Sequence, residues 1–451
     1  MSFHLGKPIL VMMVIALVTG AFVALRPGRP KADLTMWLFA QSHYKSFDPL
    51  IPEFQRDNHV KINLELLSFQ AELMRLRTAF MSDLHNPQIP DVAEIEIGTV
   101  GIFFRPPVDD VGFVPLNDIL KKTGWYDKIL EQRFAPWTKE GVIFGVPHDV
   151  HPVTITYRDD LFREAGIDLA GARTWGEFHQ LCEDFEHYWQ KRGMRYRHAI
   201  ELPVADSGYI VAMLLQRGIN IIDDHNRVHI DDPKVANTVA FYAELVAGPR
   251  RVAAQSSGGT GSFTKDLIDG NLCAFITPDW RIGYIKGFAP SLAGKLRMMP
   301  LPIFDPGDVP TSTWGGTMIG ITKASKNPEA SWKLIEKLYF SKEGLETRRK
   351  QTDILPPVTA MWDDPVYHQP DPYFGGQRGQ ELFIKLARQI PRRYVTPATS
   401  LASAELTVVL THAVDYVNQY GSQGLERQCQ IWLNKSARDL ELRIKQWSFD
   451  E

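Results

Sequence analysis

The amino-acid sequence predicts an α/β protein with more than one domain. The chain has 451 residues, more than a single hydrophobic core ordinarily serves. Hydrophobic residues make up 44% of it and charged residues 23%, which is the composition of a globular protein. Strand-like and helical segments alternate in residues 34–97, a pattern that favours a parallel sheet covered by helices on both faces.

The first element is an apolar run at residues 9–25. Its length lies between that of a signal peptide and that of a membrane span, and small residues permit cleavage after Ala21. Residues 1–31 are therefore predicted to be a signal peptide or an N-terminal membrane anchor followed by a linker. The positive-inside rule does not favour export, because three basic residues follow the run: Arg26, Arg29 and Lys31.

The alternating region that follows is predicted to contain three strands and two helices. In chain order they are Leu34–Phe39, a helix through Phe47–Arg56, Val60–Phe69, a helix at Gln70–Leu84, and Pro90–Ile97. Ser46 is predicted to cap the first of these helices, because a serine hydroxyl can accept a hydrogen bond from an unpaired backbone N–H.

Residues 145–178 carry the most specific local signals. Val153–Tyr157 alternates apolar residues with threonine, the period of a half-buried strand. A short helix capped by one of the aspartates at 159 and 160 is predicted to follow and to end at Gly166. Thr174 and Glu177 then form a capping box that begins another helix.

Further helices and one hairpin are predicted between residues 175 and 328. Helices are predicted at Trp175–Lys191 and Ser207–Arg217, and a hairpin is predicted to turn at Asp224–Asn226. Two further helices begin at Asp232-Pro233 and Asn327-Pro328, where a capping side chain precedes a proline in the first turn.

These motifs resemble the extracellular solute-binding proteins of ABC transporters, the maltose-binding-protein-like family 1. In that family a Gly-Val-Pro turn precedes a strand ending in Tyr-Asn, then Asp-Leu-Phe-x-x-Ala-Gly and Thr-Trp-x-Glu-Phe; here Arg158 replaces the Asn. Further segments match in the family's order: Gly218–Asp224, Val228–Pro233, Leu267–Trp280, Trp314–Gly316 and Ile321–Ala330.

The resemblance implies the two-lobed periplasmic-binding-protein fold (type II), with each lobe built from discontinuous chain. The first lobe is expected at 32–146 and 314–340, the second at 153–300 and 341–451, and hinge crossings at 147–152 and 303–313. The implied function is capture of a small solute, above all a carbohydrate, and delivery to an ABC-transporter permease. The implied location is periplasmic or extracytoplasmic, with residues 9–25 as an anchor if they are not cleaved.

Ligands of open parallel sheets bind beyond the carboxyl ends of the strands. Carboxylates and amides there bind sugar hydroxyls, and aromatic faces cover the apolar side of a sugar ring. On this rule and the resemblance, the residues expected to line the cleft are Gln41, Ser42, Glu96, Gly98, Thr99, His151, Asp206, Tyr209, Trp280, Trp314 and Gly315.

The residues also offer some support for glycoside hydrolysis and for metal binding. Glu94 and Glu96 lie on one strand face about 6.5–7 Å apart, which overlaps the spacing of the acid and base in an inverting glycosidase. His148 and His151 could share a metal ion, but no third nitrogen or sulfur donor accompanies them at a recognisable spacing. Neither catalysis nor a resident metal or other cofactor is therefore expected.

Net charge and cysteine content bear on the binding partners and on disulfide bonding respectively. The formal net charge of −3 gives no indication of a nucleic-acid partner. Cys182, Cys273 and Cys429 are far apart in sequence and are predicted to be buried free thiols. The protein is expected to be a monomer, and the alternative cargoes are a polyamine, a phosphorylated polyol and a metal ion.

Overall fold

The structure is a computed structural model and describes residues 7–24, 32–82, 89–254 and 259–449. The ends of the predicted N-terminal segment, with its three trailing basic residues, lie outside these ranges, as does the predicted helix end at Leu84. The α-helices are Lys7–Ala24, Gln41–Phe47, Ile51–Asn58, Phe69–Ser82, Ile97–Val100, Asn117–Thr123, Asp159–Glu164, Trp175–Gln190, Ser207–Gln216, Pro233–Val246, Gly259–Asp269, Trp280–Phe288, Pro328–Ile335, Lys342–Thr352, Gly379–Ala387, Thr399–Tyr420 and Leu425–Phe449.

The first sheet is parallel in part. Its strands, in spatial order, are Ile62–Leu66, Leu34–Leu38, Val92–Glu96, Thr317–Ile321 and Val146–Pro147. The first three run parallel, as the strand–helix alternation predicts. Thr317–Ile321 is antiparallel to both of its neighbours, because the chain returns to this sheet from the other lobe.

The second sheet contains Leu296–Pro300, Val153–Arg158, Ala274–Pro278, Ile200–Glu201 and Ala253–Ala254, in spatial order. All six residues of Val153–Arg158 are buried, so this central strand is covered on both faces rather than half-buried. A separate pair of short strands, Thr138–Lys139 and Val142–Ile143, forms a hairpin. Two sheets in separate lobes confirm the predicted two-lobed α/β fold.

Each sheet has its own hydrophobic core. Met36, Phe47 and Trp332 belong to the core of the first sheet, to which Leu345 and Val358 also contribute. The main core of the second sheet surrounds Trp175 and Phe178, and its last members come from the two C-terminal helices: Ala402, Leu406, Val409, Leu410, Ala413, Val417, Leu425, Cys429, Leu433, Ala437 and Leu440. All three cysteines are buried and free, as predicted.

The helix-capping predictions are confirmed at three helices but not at every one. Both hydrogen bonds of the Thr174–Glu177 capping box are present. Asp232 and Asn327 cap their helices through their side chains, as predicted. The prediction for Ser46 is wrong, because Ser46 lies inside the helix Gln41–Phe47 and its hydroxyl donates back to the Ser42 carbonyl oxygen.

Two predicted helices differ in detail. The helix after the central strand begins at Asp159 itself, with Arg158 at its N-cap and no side-chain capping bond. The helix that begins at Pro328 continues after Ile335 as a π-helix at Glu336–Phe340.

The N-terminal run forms the helix Lys7–Ala24. Its apolar side chains between positions 11 and 18 are exposed, Leu17 by 73%. Within the described ranges, no helix combines the length and the apolar character that crossing a membrane requires.

Candidate functional site

A cavity of about 610 Å³ lies between the two lobes. Its wall contains four aromatic side chains together with carboxylates, imidazoles and a guanidinium. The residues that line it are Phe39, Ala40, Ser42, His43, Glu96, Asp149, His151, Gly208, Trp280, Gly283, Tyr284, Trp314, Gly315, Gly316, Thr317, Gln351, Thr352, Ile354 and Arg393. Six of the predicted cleft residues are among them: Ser42, Glu96, His151, Trp280, Trp314 and Gly315.

The first lobe contributes residues that directly follow its strands. Phe39 and Ser42 come after Leu34–Leu38, and Glu96 is the last residue of Val92–Glu96. The Glu96 carboxylate accepts a hydrogen bond from the Gly98 backbone N–H at 2.7 Å. Burial raises the pKa of Glu96, although nearby Arg393 and this hydrogen bond lower it. This wall therefore offers acceptor oxygens at the carboxyl ends of parallel strands.

The second lobe contributes aromatic rings. Trp280 begins the helix that follows Ala274–Pro278, and 39% of its surface is exposed. Its indole N–H donates to the Trp314 carbonyl oxygen at 3.1 Å, and the two rings meet edge to face. Tyr284 lies one helical turn beyond Trp280 and also faces the cavity. The ring of Trp280 is thus fixed in orientation while part of it stays available to a ligand.

The chain crossing between the lobes carries a buried charge network. Arg133 donates to Asp149 Oδ1 at 2.7 Å, and His151 Nε2 lies 3.0 Å from Asp149 Oδ2. The other ring nitrogen of His151 bonds the carboxylate of Asp279, which follows a second-lobe strand. His151 has φ +56°, an unusual backbone conformation for a residue with a side chain. The network therefore joins a crossing to both lobes at the wall of the cavity.

The charges in this network stabilise one another. Burial by itself lowers the pKa of His151, but Asp149 and Asp279 raise it to about 9. Burial by itself raises the pKa of Asp149, but His151, His148 and Arg133 hold it well below its usual range. At neutral pH the imidazole is therefore cationic and Asp149 is anionic.

Five predicted cleft residues do not line the cavity. Gln41 is exposed at the start of its helix, and Gly98 and Thr99 bond the Glu96 side chain and carbonyl respectively. Asp206 is exposed and caps the helix Ser207–Gln216 by accepting from the Gly208 N–H. Tyr209 is buried, and its hydroxyl donates to Glu201 at 2.8 Å and accepts from Arg281.

Thirteen of the nineteen lining residues are absent from the predicted set, among them Tyr284, Gln351 and Arg393. Tyr284 follows Trp280 at a spacing of four, so helical periodicity could have indicated it. Gln351 lies on the helix Lys342–Thr352, and Arg393 lies in a segment without helix or strand. Neither of these two has a local signal, because tertiary packing alone brings it to the cavity.

The described residues contain two groups with metal-binding atoms close together. His43, Glu94 and His148 offer buried ligand atoms within 4.8 Å of one another. The two imidazoles stack with centroids 4.0 Å apart and planes 25° apart. Glu94 is hydrogen-bonded to His43 and accepts from the Tyr339 hydroxyl. The other group, Asp223, Asp224 and His225, lies in the 221–230 hairpin, where Asp223 pairs with Arg227 and His229.

Two sheets in separate lobes, joined by chain crossings with a polar and aromatic cavity between them, define a two-lobed solute-binding protein. Among solved structures, the sugar-binding protein MalE of Xanthomonas citri matches with a TM-score of 0.71 at 19% sequence identity, over 93% of this chain and 99% of its own. An arabinooligosaccharide-binding protein of Halalkalibacterium halodurans is 24% identical over 366 residues, 79% of each chain. One of Bacillus subtilis is 21% identical over 365 residues, also 79% of each.

The profile of the bacterial extracellular solute-binding proteins matches residues 50–372. The chain belongs to this family, which confirms the resemblance read from its sequence. Members of the family are binding proteins of transporters, so the protein is an extracytoplasmic solute-binding protein.

Proposed function

We propose that the protein captures a carbohydrate in the cavity between its lobes and delivers it to the permease of an ABC transporter. The observation that carries the proposal is the combination of side chains at the cavity wall. Trp280 and Tyr284 offer ring faces, while Glu96 and Arg393 offer an acceptor and a donor of hydrogen bonds. A sugar needs this combination, because one side of its ring is apolar and its rim carries hydroxyls.

The relatives support the same cargo. Two of them are named as arabinooligosaccharide-binding proteins, and a third, from Rhizobium radiobacter, as a lactose-binding protein. The cavity volume lies within the range of roughly 300–1,000 Å³ that small-molecule sites occupy.

Binding is proposed to proceed by closure of the lobes. The first lobe, residues 32–146 with 314–340 and the segment around Leu345 and Val358 that packs in its core, would move against the second lobe, 153–300 with the rest of 341–451. The movement would turn about the crossings 147–152 and 303–313. The crossings lie side by side, because Pro152 pairs with Thr313 and the Val153 N–H donates to the Ser312 carbonyl oxygen. Two adjacent chain segments can absorb the dihedral change of a hinge while each lobe stays rigid. The cargo then shifts the equilibrium toward the closed form.

A thermal-shift screen followed by calorimetry tests the cargo. We expect arabino-, galacto- and gluco-oligosaccharides to include a ligand that raises the melting temperature, because a ligand of the folded state stabilises it by mass action. Polyamines, phosphorylated polyols and divalent metal ions form the control arm. A shift with one of these and none with any saccharide would contradict a carbohydrate cargo.

Catalysis is not part of the proposal. Glu94 is fully buried and already bonded to His43 and Tyr339, so it is not available as the partner of Glu96 in glycoside hydrolysis. Incubation of the protein with its saccharide ligand, followed by product analysis, checks this. Turnover above that of a Glu96→Gln variant would contradict a pure binding role.

Export is proposed to depend on the apolar helix Lys7–Ala24, with its exposed side chains. A reporter that is active only outside the cytoplasm, fused after Glu451, is expected to be active. The mass of the mature N-terminus then distinguishes cleavage near Ala21 from retention as an anchor. Light scattering during gel filtration is expected to give the mass of a monomer.

A further inference from the structure

Residues 390–398, here called the strap, contact both lobes within nine residues. Ile390 packs in a core that contains Phe275 and Met298 of the second sheet. Ala398 packs in that sheet's other core, which also contains Ile155 and Ile276. Between them, Val395 is 5% exposed and packs in a core that is otherwise formed by the first lobe, including Ile95 and Met318. The strap therefore leaves the second lobe, inserts one side chain into the first and returns.

The strap is attached to the second lobe through its backbone. The Asn220 side-chain amide donates to the Arg392 carbonyl oxygen at 3.0 Å, and its oxygen accepts from the Tyr394 N–H at 2.9 Å. Asn220 itself follows the second-lobe helix Ser207–Gln216. These bonds lie on both sides of Arg393, so they fix the direction in which its side chain leaves the strap.

The contacts with the first lobe are of a different kind. Besides the burial of Val395, they include an exposed ion pair between Arg392 and Glu131, at 2.6 Å, and close packing of the Thr396 carbonyl oxygen on Gly101. A Cβ atom at Gly101 would lie 2.3 Å from that oxygen. The strap can therefore separate from the first lobe without losing its bonds to the second.

Arg393 extends from this strap to the cavity wall. Burial lowers the pKa of its guanidinium to about 10, with Glu96 acting in the opposite direction, so the group is cationic at neutral pH. None of the residues in the described ranges accepts a hydrogen bond from it. A guanidinium has five N–H donors, and this one is half-buried. Donors without a protein acceptor favour a ligand that supplies oxygen acceptors.

We propose that the lobe arrangement described here is the closed one, that the strap is a non-covalent fastening that holds it, and that Arg393 contacts the cargo only in this closed state. When the lobes separate, Asn220 keeps the strap on the second lobe, Val395 leaves the first-lobe core, and Arg393 withdraws from Glu96. Closure therefore both buries Val395 and completes the binding site. The cargo contact of Arg393 rests on the proposed function, whereas the fastening by Val395 and Thr396 does not.

The fastening is tested on the full chain without any ligand. Gly101 has a helical backbone conformation that alanine also adopts, so Gly101→Ala is expected to fold but to push the strap away. Gly261→Ala is the matched control, because Gly261 is also helical and its Cβ would meet open space. Small-angle scattering should show a larger radius of gyration for Gly101→Ala than for wild type, and no change for the control. Val395→Ala, which removes both methyl groups without a collision, should act in the same direction.

The role of Arg393 is tested with the saccharide that binds the wild-type protein. Arg393→Gln is expected to weaken its affinity roughly tenfold to a hundredfold, and to leave the ligand-free radius of gyration unchanged. Gly101→Ala is expected to weaken affinity as well, but together with the change in radius. Wild-type affinity in Arg393→Gln would overturn the contact, and unchanged scattering in both Gly101→Ala and Val395→Ala would overturn the fastening. If no saccharide binds wild type, the proposed cargo fails while the scattering comparison still decides on the strap.

Discussion

Two buried charge networks adjoin the cavity, and they differ in the parts of the chain that they join. The junction network, Arg133, Asp149, His151 and Asp279, connects a first-lobe segment and a crossing to the end of a second-lobe strand. The lobe network, Glu201, Tyr209 and Arg281, lies entirely within the second lobe. The first network is therefore sensitive to how the lobes are arranged, whereas the second supports one lobe whatever its position.

The two networks also differ in their cations. Besides Arg133, the junction network contains an imidazole that can lose its proton, and Asp149 and His151 line the cavity. The only cation of the lobe network is a guanidinium that stays charged, and the rings of its Tyr209 and of Trp314 meet edge to face with centroids 4.4 Å apart. A change in pH should therefore act on the junction between the lobes and not on the lobe network that supports the aromatic wall.

The largest expected effect comes from breaking the lobe network. Arg281→Met should lower the free energy of unfolding by about 3–5 kcal/mol, because Glu201 would remain buried without its partner. Urea denaturation measures this loss. In the double variant Glu201→Leu with Arg281→Met no buried charge remains, so most of the stability should return. A single variant as stable as wild type would show that the pair is not a buried charge pair in solution.

The junction network should give a pH-dependent stability. The pKa of His151 is 6.5 when unperturbed and about 9 in the folded protein, so its stabilisation is complete below pH 6.5 and is lost as pH rises through 9. The loss is about 3 kcal/mol in the free energy of unfolding. Denaturation at a series of pH values should show this fall for wild type and a flatter profile for His151→Gln. The same slope in both proteins would contradict the assignment.

The aromatic wall should respond to truncation of Trp280. Trp280→Ala is expected to weaken cargo binding about 5- to 150-fold, because a sugar ring loses about 1–3 kcal/mol of contact. Calorimetry with the saccharide ligand measures the change, and circular dichroism should show an intact fold. Trp280→Phe keeps a ring at the position and should recover part of the affinity. Unchanged affinity in the folded alanine variant would remove Trp280 from the binding site.

The smallest effect is expected at Asp206, which the sequence assigns to the cleft and the structure assigns to a helix cap. Asp206→Ala should cost about 1 kcal/mol of stability and leave cargo affinity unchanged, whereas Asp206→Ser should retain the cap. Thermal unfolding and calorimetry on the same samples separate the two roles. A loss of affinity without a loss of stability would restore the ligand assignment.

The sequence predicts those features that depend on neighbouring residues. The capping box at Thr174 and the parallel order of the first three strands each follow from patterns within a short window. Partners that lie far apart in sequence leave no such pattern. Glu94 is satisfied by Tyr339, 245 residues away, so its spacing from Glu96 could not show that it is buried.

The cleft residues that lie at strand ends were predictable from the sequence, and the others were not. Glu96 is the last residue of a strand and Trp280 follows one, and the rule on carboxyl ends of strands finds both. That rule fails for Tyr209, because it identifies which end of a strand a residue follows but not which way the side chain points. Arg393 follows no strand at all, and only the packing of its segment against both lobes brings it to the cavity.

The contribution of the C-terminal helices to the core around Trp175 has a consequence for the nascent chain. Leu433 and Leu440 are part of that core, so the second lobe can complete its packing only after the ribosome has synthesised the helix Leu425–Phe449. The first sheet likewise waits for Thr317–Ile321, which lies between two strands that are made much earlier. During most of its synthesis the chain therefore carries exposed apolar surface that chaperones can bind. A chain that folds this late can be threaded through a membrane channel before its tertiary structure forms.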